Sequence, residues 1–259
     1  MGQRVYNLKS DKEDMRDMVF RSEQFKTASQ LPLSVDLRPK MSPVVDQGEL
    51  GSCTANAIAS GLREYIELNY GHGQLVNLSR LWLYWQEREL EDSVGQDAGA
   101  SIRDGMSVLQ KLGCAPETDF PYDITRFTET PSDQSDMDAN AYKISAYHRV
   151  TSVKALKASL AQGMPVVLGI SVHESFESAE VARTGIVPMP GRGDKALGGH
   201  AVLAVGYTHS VLGVSGMQVK GMGYVICRNS WGTSWGDKGY FYLPEAYFTK
   251  YVSDMWSGM

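Results

Sequence analysis

A chain of 259 residues with 42% apolar and 21% charged side chains has the balance of a folded globular protein, which excludes disorder as its main state. Its 30 acidic against 25 basic residues leave a net charge of −5, so there is no field to hold a phosphate backbone or an anionic bilayer, and neither nucleic acid nor membrane is expected as a partner. Three cysteines, Cys53, Cys114 and Cys227, are odd in number and lack metal-ligand spacing, so no metal or other cofactor is expected; pairing of Cys114 with Cys227 stays open. Apolar runs such as Pro165 to Ile170 are too short to span a bilayer.

Taken in order, the chain begins with a stretch unlike the rest. Val5, Tyr6 and Leu8 suggest a short strand, after which Ser10 or Asp11 is placed to cap a helix carrying Met15, Met18, Val19 and Phe25 on one side. Prolines at 32, 39 and 43 then predict an extended connector into the main domain. After Gly51, Ala55, Ala57, Ile58, Ala59 and Leu62 recur at helical spacing, and this helix is expected to continue to Gly71 or Gly73. A second helix is predicted over Leu78 to Glu91, with Leu81, Trp82, Tyr84 and Trp85 as a packing face. Asp97 to Gly105 breaks the pattern as a tight loop able to show backbone groups to a ligand, and helical spacing resumes from Met106 to a stop at Gly113.

Residues 119 to 140, with Pro121, Pro131 and many polar side chains, read as a long surface connection near a lobe boundary. Beyond it come a strand around Tyr147, a short helix ending at Gly163, and strands over Pro165 to Val172, His200 to Tyr207, Gly223 to Arg228 and Gly239 to Pro244. The first half is thus mainly helical and the second mainly an antiparallel sheet or barrel.

The residues able to do chemistry are spread over both halves. Cys53 follows a glycine-rich turn and opens a helix, where the positive end of the helix dipole favours a thiolate; a cysteine among alanines is equally a small buried hydrophobe. His200 opens a strand, and Asn229 ends another just before Trp231 and Trp235. A thiolate attacks a carbonyl well when a base handles its proton and a third group orients that base. Cysteine, histidine and asparagine meet those roles. Gln47, six residues before Cys53, can donate its amide to the oxyanion formed on attack.

Four segments together resemble the papain-like cysteine peptidases: LPLSVDLRP from Leu31, QGELGSC ending at Cys53, GGHAVLAVGY around His200, and RNSWGTSWGDKGYFYL from Arg228. The likeness covers about residues 31 to 248. It implies an α+β fold with two lobes, helical over about 44–140 and sheet-rich over about 141–259, the cleft lying between them. It implies a cysteine endopeptidase with Cys53 as nucleophile in an ion pair with His200, Asn229 orienting the imidazole, and Gln47 as oxyanion donor. Gly51, Ser52, Gly99, Gly199 and Trp231 would line the substrate groove, with Gly99 pairing to an extended peptide and Trp231 shielding the His200 to Asn229 bond from water. Peptide or unfolded protein is the implied substrate, and a monomer is expected.

The chain departs from the family pattern in two places. The usual nucleophile signature has a cysteine three residues earlier and an aromatic directly after; here those places hold Leu50 and Thr54. The disulfide at that loop is therefore missing. Asn229 lies 176 residues beyond Cys53, outside the family's interval of about 130–150, and a glycine-rich hairpin inserted between Thr208 and Gly223 accounts for the excess. The scarcity of disulfides resembles bacterial members, and the resemblance implies secretion, with no signal present in this sequence. Residues 1 to 30 would form a short prosegment docked across the cleft as an intramolecular inhibitor. Alternatives from other classes are a catalytically silent peptide-binding module of the same fold and a thiol amidase acting on non-peptide amides.

Overall fold

The computed structural model describes residues 4–212 and 218–259. The stretch from Cys53 does form a long helix over 53–70: Cys53–Ala55 is α-helical, Asn56–Arg63 runs with π-helical hydrogen bonds, and Glu64–Tyr70 is α-helical again. Its small residues sit where other elements come close. A Cβ on Gly61 would stand 3.1 Å from Leu203 Cδ2, so the sheet can pass directly over the helix. The helix Arg80–Leu90 is capped by Ser79, whose Oγ accepts the Trp82 amide at 2.9 Å, and it buries Leu81, Trp82 and Tyr84 completely.

Two helical boundaries differ from expectation. The helix Ile102–Lys111 starts four residues earlier than Met106 and includes Gly105, because a side chain there would overlap Glu87 Oε1 at 2.3 Å and Ile58 Cδ1 at 2.4 Å. Close helix packing selects glycine, which sequence periodicity reads as a break. The stretch 119–140, expected to be loop throughout, carries the helix Asp133–Ala139, whose cap Ser132 accepts the Ser135 amide.

The described residues form seven antiparallel strands, β1 (Val35–Asp36) ahead of the helices and six in the second half: β2 (Tyr147–Arg149), β3 (Val166–His173), β4 (Ala196–Leu212), β5 (Gln218–Arg228), β6 (Tyr240–Pro244) and β7 (Val252–Gly258). Their order is β2-β7-β3-β4-β5-β6, with β1 added to β4. β7 is not expected from the sequence; β3 pairs with it over Val166 to Ile170 and β2 pairs with its other edge, so the C-terminal strand lies inside the sheet between β2 and β3. The arms of the inserted hairpin pair as far as Leu212 with Gln218, and its tip lies outside the described residues.

The N-terminal segment corrects the prediction most. No helix forms between residues 4 and 27. Asp11, the expected cap, instead accepts the Arg103 amide at 3.1 Å in the first turn of helix Ile102–Lys111, and the Trp256 indole at 2.6 Å. Met18 and Phe20 bracket Arg149 through backbone bonds of 2.7 and 2.9 Å, and Arg149 holds Asp17 at 2.9 Å. Met15 is fully exposed while Phe20, absent from the expected apolar side, is buried. Helix propensity is a weak preference, and pairing with the domain overrides it.

Candidate active site

The strand ladder sets the histidine side. His200 lies in β4 opposite Ile170 of β3, and Asn229 follows the end of β5, where Arg228 pairs with Leu203. Both are buried, and His200 Nε2 meets Asn229 Oδ1 at 2.9 Å. That carbonyl oxygen is an acceptor, so Nε2 carries the hydrogen and Nδ1 presents its lone pair. Nδ1 has no hydrogen-bond partner among the described residues. Trp231 stacks on the imidazole, centroids 5.0 Å apart and 20° from parallel, and keeps water from the bond below it.

Cys53 is the first residue of helix 53–70, and Asn56 starts the helical bonding by donating to the Ser52 carbonyl at 3.0 Å. The amides of Ala201, next to His200, and of Thr54 both favour its thiolate, but burial dominates and pushes the thiol up to about 12. Burial likewise drives His200 down to about 4; the Asn229 bond opposes this, and the nearby Arg4 guanidinium adds to it. Burial thus disfavours the charged form of both groups in this arrangement.

Gln47 is clamped beside them. Its Nε2 donates to the Leu50 carbonyl at 3.0 Å, and its Oε1 accepts from Ser230 Oγ at 2.5 Å. An amide nitrogen carries two hydrogens, and the second makes no hydrogen bond among the described residues. The Ser52 hydroxyl is committed to Tyr122 and Asn56, at 2.5 and 3.0 Å, so only its backbone remains for a ligand.

The groove residues converge on one stretch of the N-terminal segment. A Cβ on Gly51 would stand 2.3 Å from Asn7 Nδ2, and one on Gly99, at φ +67°, 2.0 Å from the Asn7 carbonyl oxygen. Across the groove, the Leu8 amide donates to the Gly199 carbonyl at 3.2 Å. The expected strand over Val5 to Leu8 is reduced to isolated bridges at Asn7 and Lys9, and Gly99 itself does not pair with this stretch. Its amide goes to Tyr84 Oη, and the wall carbonyl that accepts the Lys9 amide, at 3.0 Å, is that of Ala100. Tyr6 sets its ring edge-on to His200 and Trp231, and Arg4 lies 3.8 Å over the Trp231 ring. Asp97, Tyr84, Tyr122 and Ser230 were missed from sequence, since polar residues inside helices and loops give no sign of their long-range partners.

A family model described as papain family cysteine protease matches residues 31–252. The chain belongs to the papain family of cysteine proteases. The papain-like α+β fold and peptidase activity of that family are therefore its own. Xylellain, a cysteine protease from Xylella fastidiosa, is similar over 100% of this chain and 98% of its own at 36% identity, with a TM-score of 0.84. An uncharacterised peptidase C1-like protein of Acanthamoeba polyphaga mimivirus is 33% identical over 98% of this chain and 86% of its own length. Cysteine proteinase 3 of Entamoeba histolytica is 31% identical over 83% of this chain, which spans 63% of that protein.

Cys114 and Cys227 are free and buried, each with a carbonyl near its sulfur.

Proposed function

We propose that this papain-family protease is an endopeptidase with Cys53 as nucleophile and His200 as its proton carrier, and that residues 1 to 30 cover it as an intramolecular inhibitor. The arrangement of His200 supports the first part most directly: Nε2–H is held by Asn229, so the unpartnered Nδ1 is free to accept the thiol proton. Once the proton has moved, the thiolate attacks the peptide carbonyl carbon. The resulting oxyanion is stabilised by the free amide hydrogen of Gln47 and the Cys53 backbone amide. Collapse of this intermediate breaks the C–N bond as His200 returns the proton to the leaving amine, leaving an acyl thioester on Cys53. Water, deprotonated by His200, then attacks the thioester and releases the acid. Asn229 keeps the tautomer correct in both halves.

The path of Asn7 and Leu8 between Gly51, Gly99 and Gly199 supports the cover. It inhibits in two ways, by filling the groove and by drying the thiol and imidazole so that their charged forms are disfavoured. Lifting it would restore the ion pair. Domain limits follow, with a prosegment of residues 1–30 and a peptidase domain of 31–259. The proposal also takes the enzyme to be monomeric, secreted and of bacterial type, the last supported by the likeness to xylellain; size-exclusion chromatography and fractionation of a producing culture check these.

A peptide library digested by the full chain and by a chain carrying Leu8→Asp tests the whole reading. Leu8 is partly buried against the core, so a charge there should unseat the segment and raise hydrolysis at least tenfold, and Cys53→Ala in that background should abolish it. Equal rates before and after unseating remove the inhibitor role, and hydrolysis that survives Cys53→Ala removes the nucleophile.

A further inference from the structure

The loop that carries the nucleophile has Leu50 where the family has a cysteine, and all three cysteines of the chain are free. On the side facing the substrate wall it is held by one carboxylate and one phenol. Both oxygens of Asp97 accept the Gly51 amide at 3.0 Å, and Oδ1 also accepts the Tyr84 hydroxyl at 2.5 Å. The same Tyr84 oxygen accepts the Gly99 amide at 3.0 Å. Gly51, Asp97, Tyr84 and Gly99 thus form one continuous run of hydrogen bonds. It joins a point two residues before Cys53 to the wall against which a peptide would lie.

The anchor of this run is rigid. Tyr84 is fully buried on helix Arg80–Leu90, and burial together with the Asp97 bond pushes its phenol far above the ordinary range, so it stays a donor. One turn later the buried Arg88 stacks 4.2 Å over the Tyr84 ring and donates to the carbonyls of Val94 and Gln96, at 2.7 and 3.1 Å. The loop leading into Asp97 is therefore pinned from the same helix face. Hydrogen bonds to a carboxylate are stronger than neutral ones, and a position that is rigidly backed loses little entropy in making them.

We propose that Asp97 and Tyr84 are positioning residues for peptide hydrolysis, setting the spacing between Cys53 and the Gly99 wall in place of a covalent cross-link. The role rests on Cys53 being the nucleophile. Neither residue touches substrate; each acts through a glycine amide. A strut without sulfur leaves the site assembled under reducing conditions.

Kinetics are read in the full chain carrying Leu8→Asp, and amide exchange in the otherwise unaltered full chain. Asp97→Ala should lower kcat about 10- to 100-fold, as expected for a misplaced nucleophile, and should speed exchange at Gly51. Tyr84→Phe should mainly raise KM, by up to about tenfold, and speed exchange at Gly99. In kcat the double variant should be no worse than Asp97→Ala alone, because the hold on Gly51 runs through Asp97, while its KM should carry the Tyr84→Phe rise. Asp97→Asn, which keeps the shape and one acceptor, should recover part of kcat and guards against misfolding of the alanine variant.

Unchanged kcat and KM with undisturbed Gly51 and Gly99 exchange would overturn the positioning role, as would a kcat in the double variant far below that of Asp97→Ala alone. Hydrolysis that persists after Cys53→Ala in the same background overturns the nucleophile reading as well. Loss in Cys53→Ala without loss in the Asp97 and Tyr84 variants overturns the strut alone.

Discussion

The two sides of the cleft are held by different kinds of bond. On the sheet side, His200 and Asn229 occupy fixed registers of β4 and the end of β5, where each backbone pair constrains the next. On the helical side, the turn before Cys53 hangs on side chains that reach across the fold: Ser230 and Tyr122 on Gln47, Tyr122 on Ser52, and Asp97 on Gly51. A ladder distributes its restraint over many bonds, whereas a strut concentrates it in one or two. Single substitutions should therefore be felt more sharply on the helical side, apart from the reacting groups themselves.

The largest expected effect tests that exception. In the unseated chain, His200→Ala should cost about as much as Cys53→Ala, three or more orders of magnitude in kcat, and the double variant should be no worse, because the two act as a unit. Additive losses in a steady-state comparison would separate them. Next comes Gln47→Ala, at roughly 3 kcal/mol in the acylation barrier if it is the oxyanion donor; pre-steady-state acylation rates with an ester substrate measure it. Asn229→Ala should cost less, about tenfold, since β4 still holds the imidazole and only its tautomer is released. A larger loss at Asn229 than at Gln47 would reverse the ranking of the two sides.

The smallest effect concerns the cover and its dependence on pH. Asp11 is buried beside Asp254, and burial first, then that neighbour, raise it to about 6 in spite of the Trp256, Arg103 and Arg149 contacts. Released into solvent, it returns to the ordinary carboxylate range near 4. A raised pKa in the docked form means that docking takes up a proton. Docking is thus fully favoured by this group below about pH 4 and loses that contribution as pH rises through about 6. As far as Asp11 is concerned, acid tightens the cover. The rate of Cys53 alkylation in the full chain, followed from pH 4 to 8, should rise more steeply than in Asp11→Asn; parallel profiles would dismiss the effect.

How much was legible follows the same division. The strands around Val166, His200, Val225 and Tyr240 could be read because β-branched and aromatic residues alternate or run continuously there, and Gln47, Cys53, His200 and Asn229 stood out as candidates because they stand in short glycine-flanked segments. The helix expected from Asp11 onward does not form, because the charges spaced like a solvated helix face have partners elsewhere in the domain. Asp11 and Asp17 are instead the partners of Arg149, Arg103 and Trp256. Gly105 and the polar stretch around Asp133 misled for a related reason: one glycine marks a close helix contact and the other stretch carries its own Ser132 cap.

By itself, the sequence determined the α+β division of the chain, the helix opening at Cys53 and the identity of the groups brought to the cleft, because these depend on local patterns a few residues long. Only the tertiary structure decided what faces them. Asn7 and Leu8 run between Gly51, Gly99 and Gly199, the carbonyl that accepts the Lys9 amide is that of Ala100, and the loop before Cys53, with Leu50 in place of a cysteine, leans on Asp97 and Tyr84. Contacts between residues 46 or 92 positions apart in the chain leave no periodic trace, so they become visible only when folding has placed them within hydrogen-bonding distance.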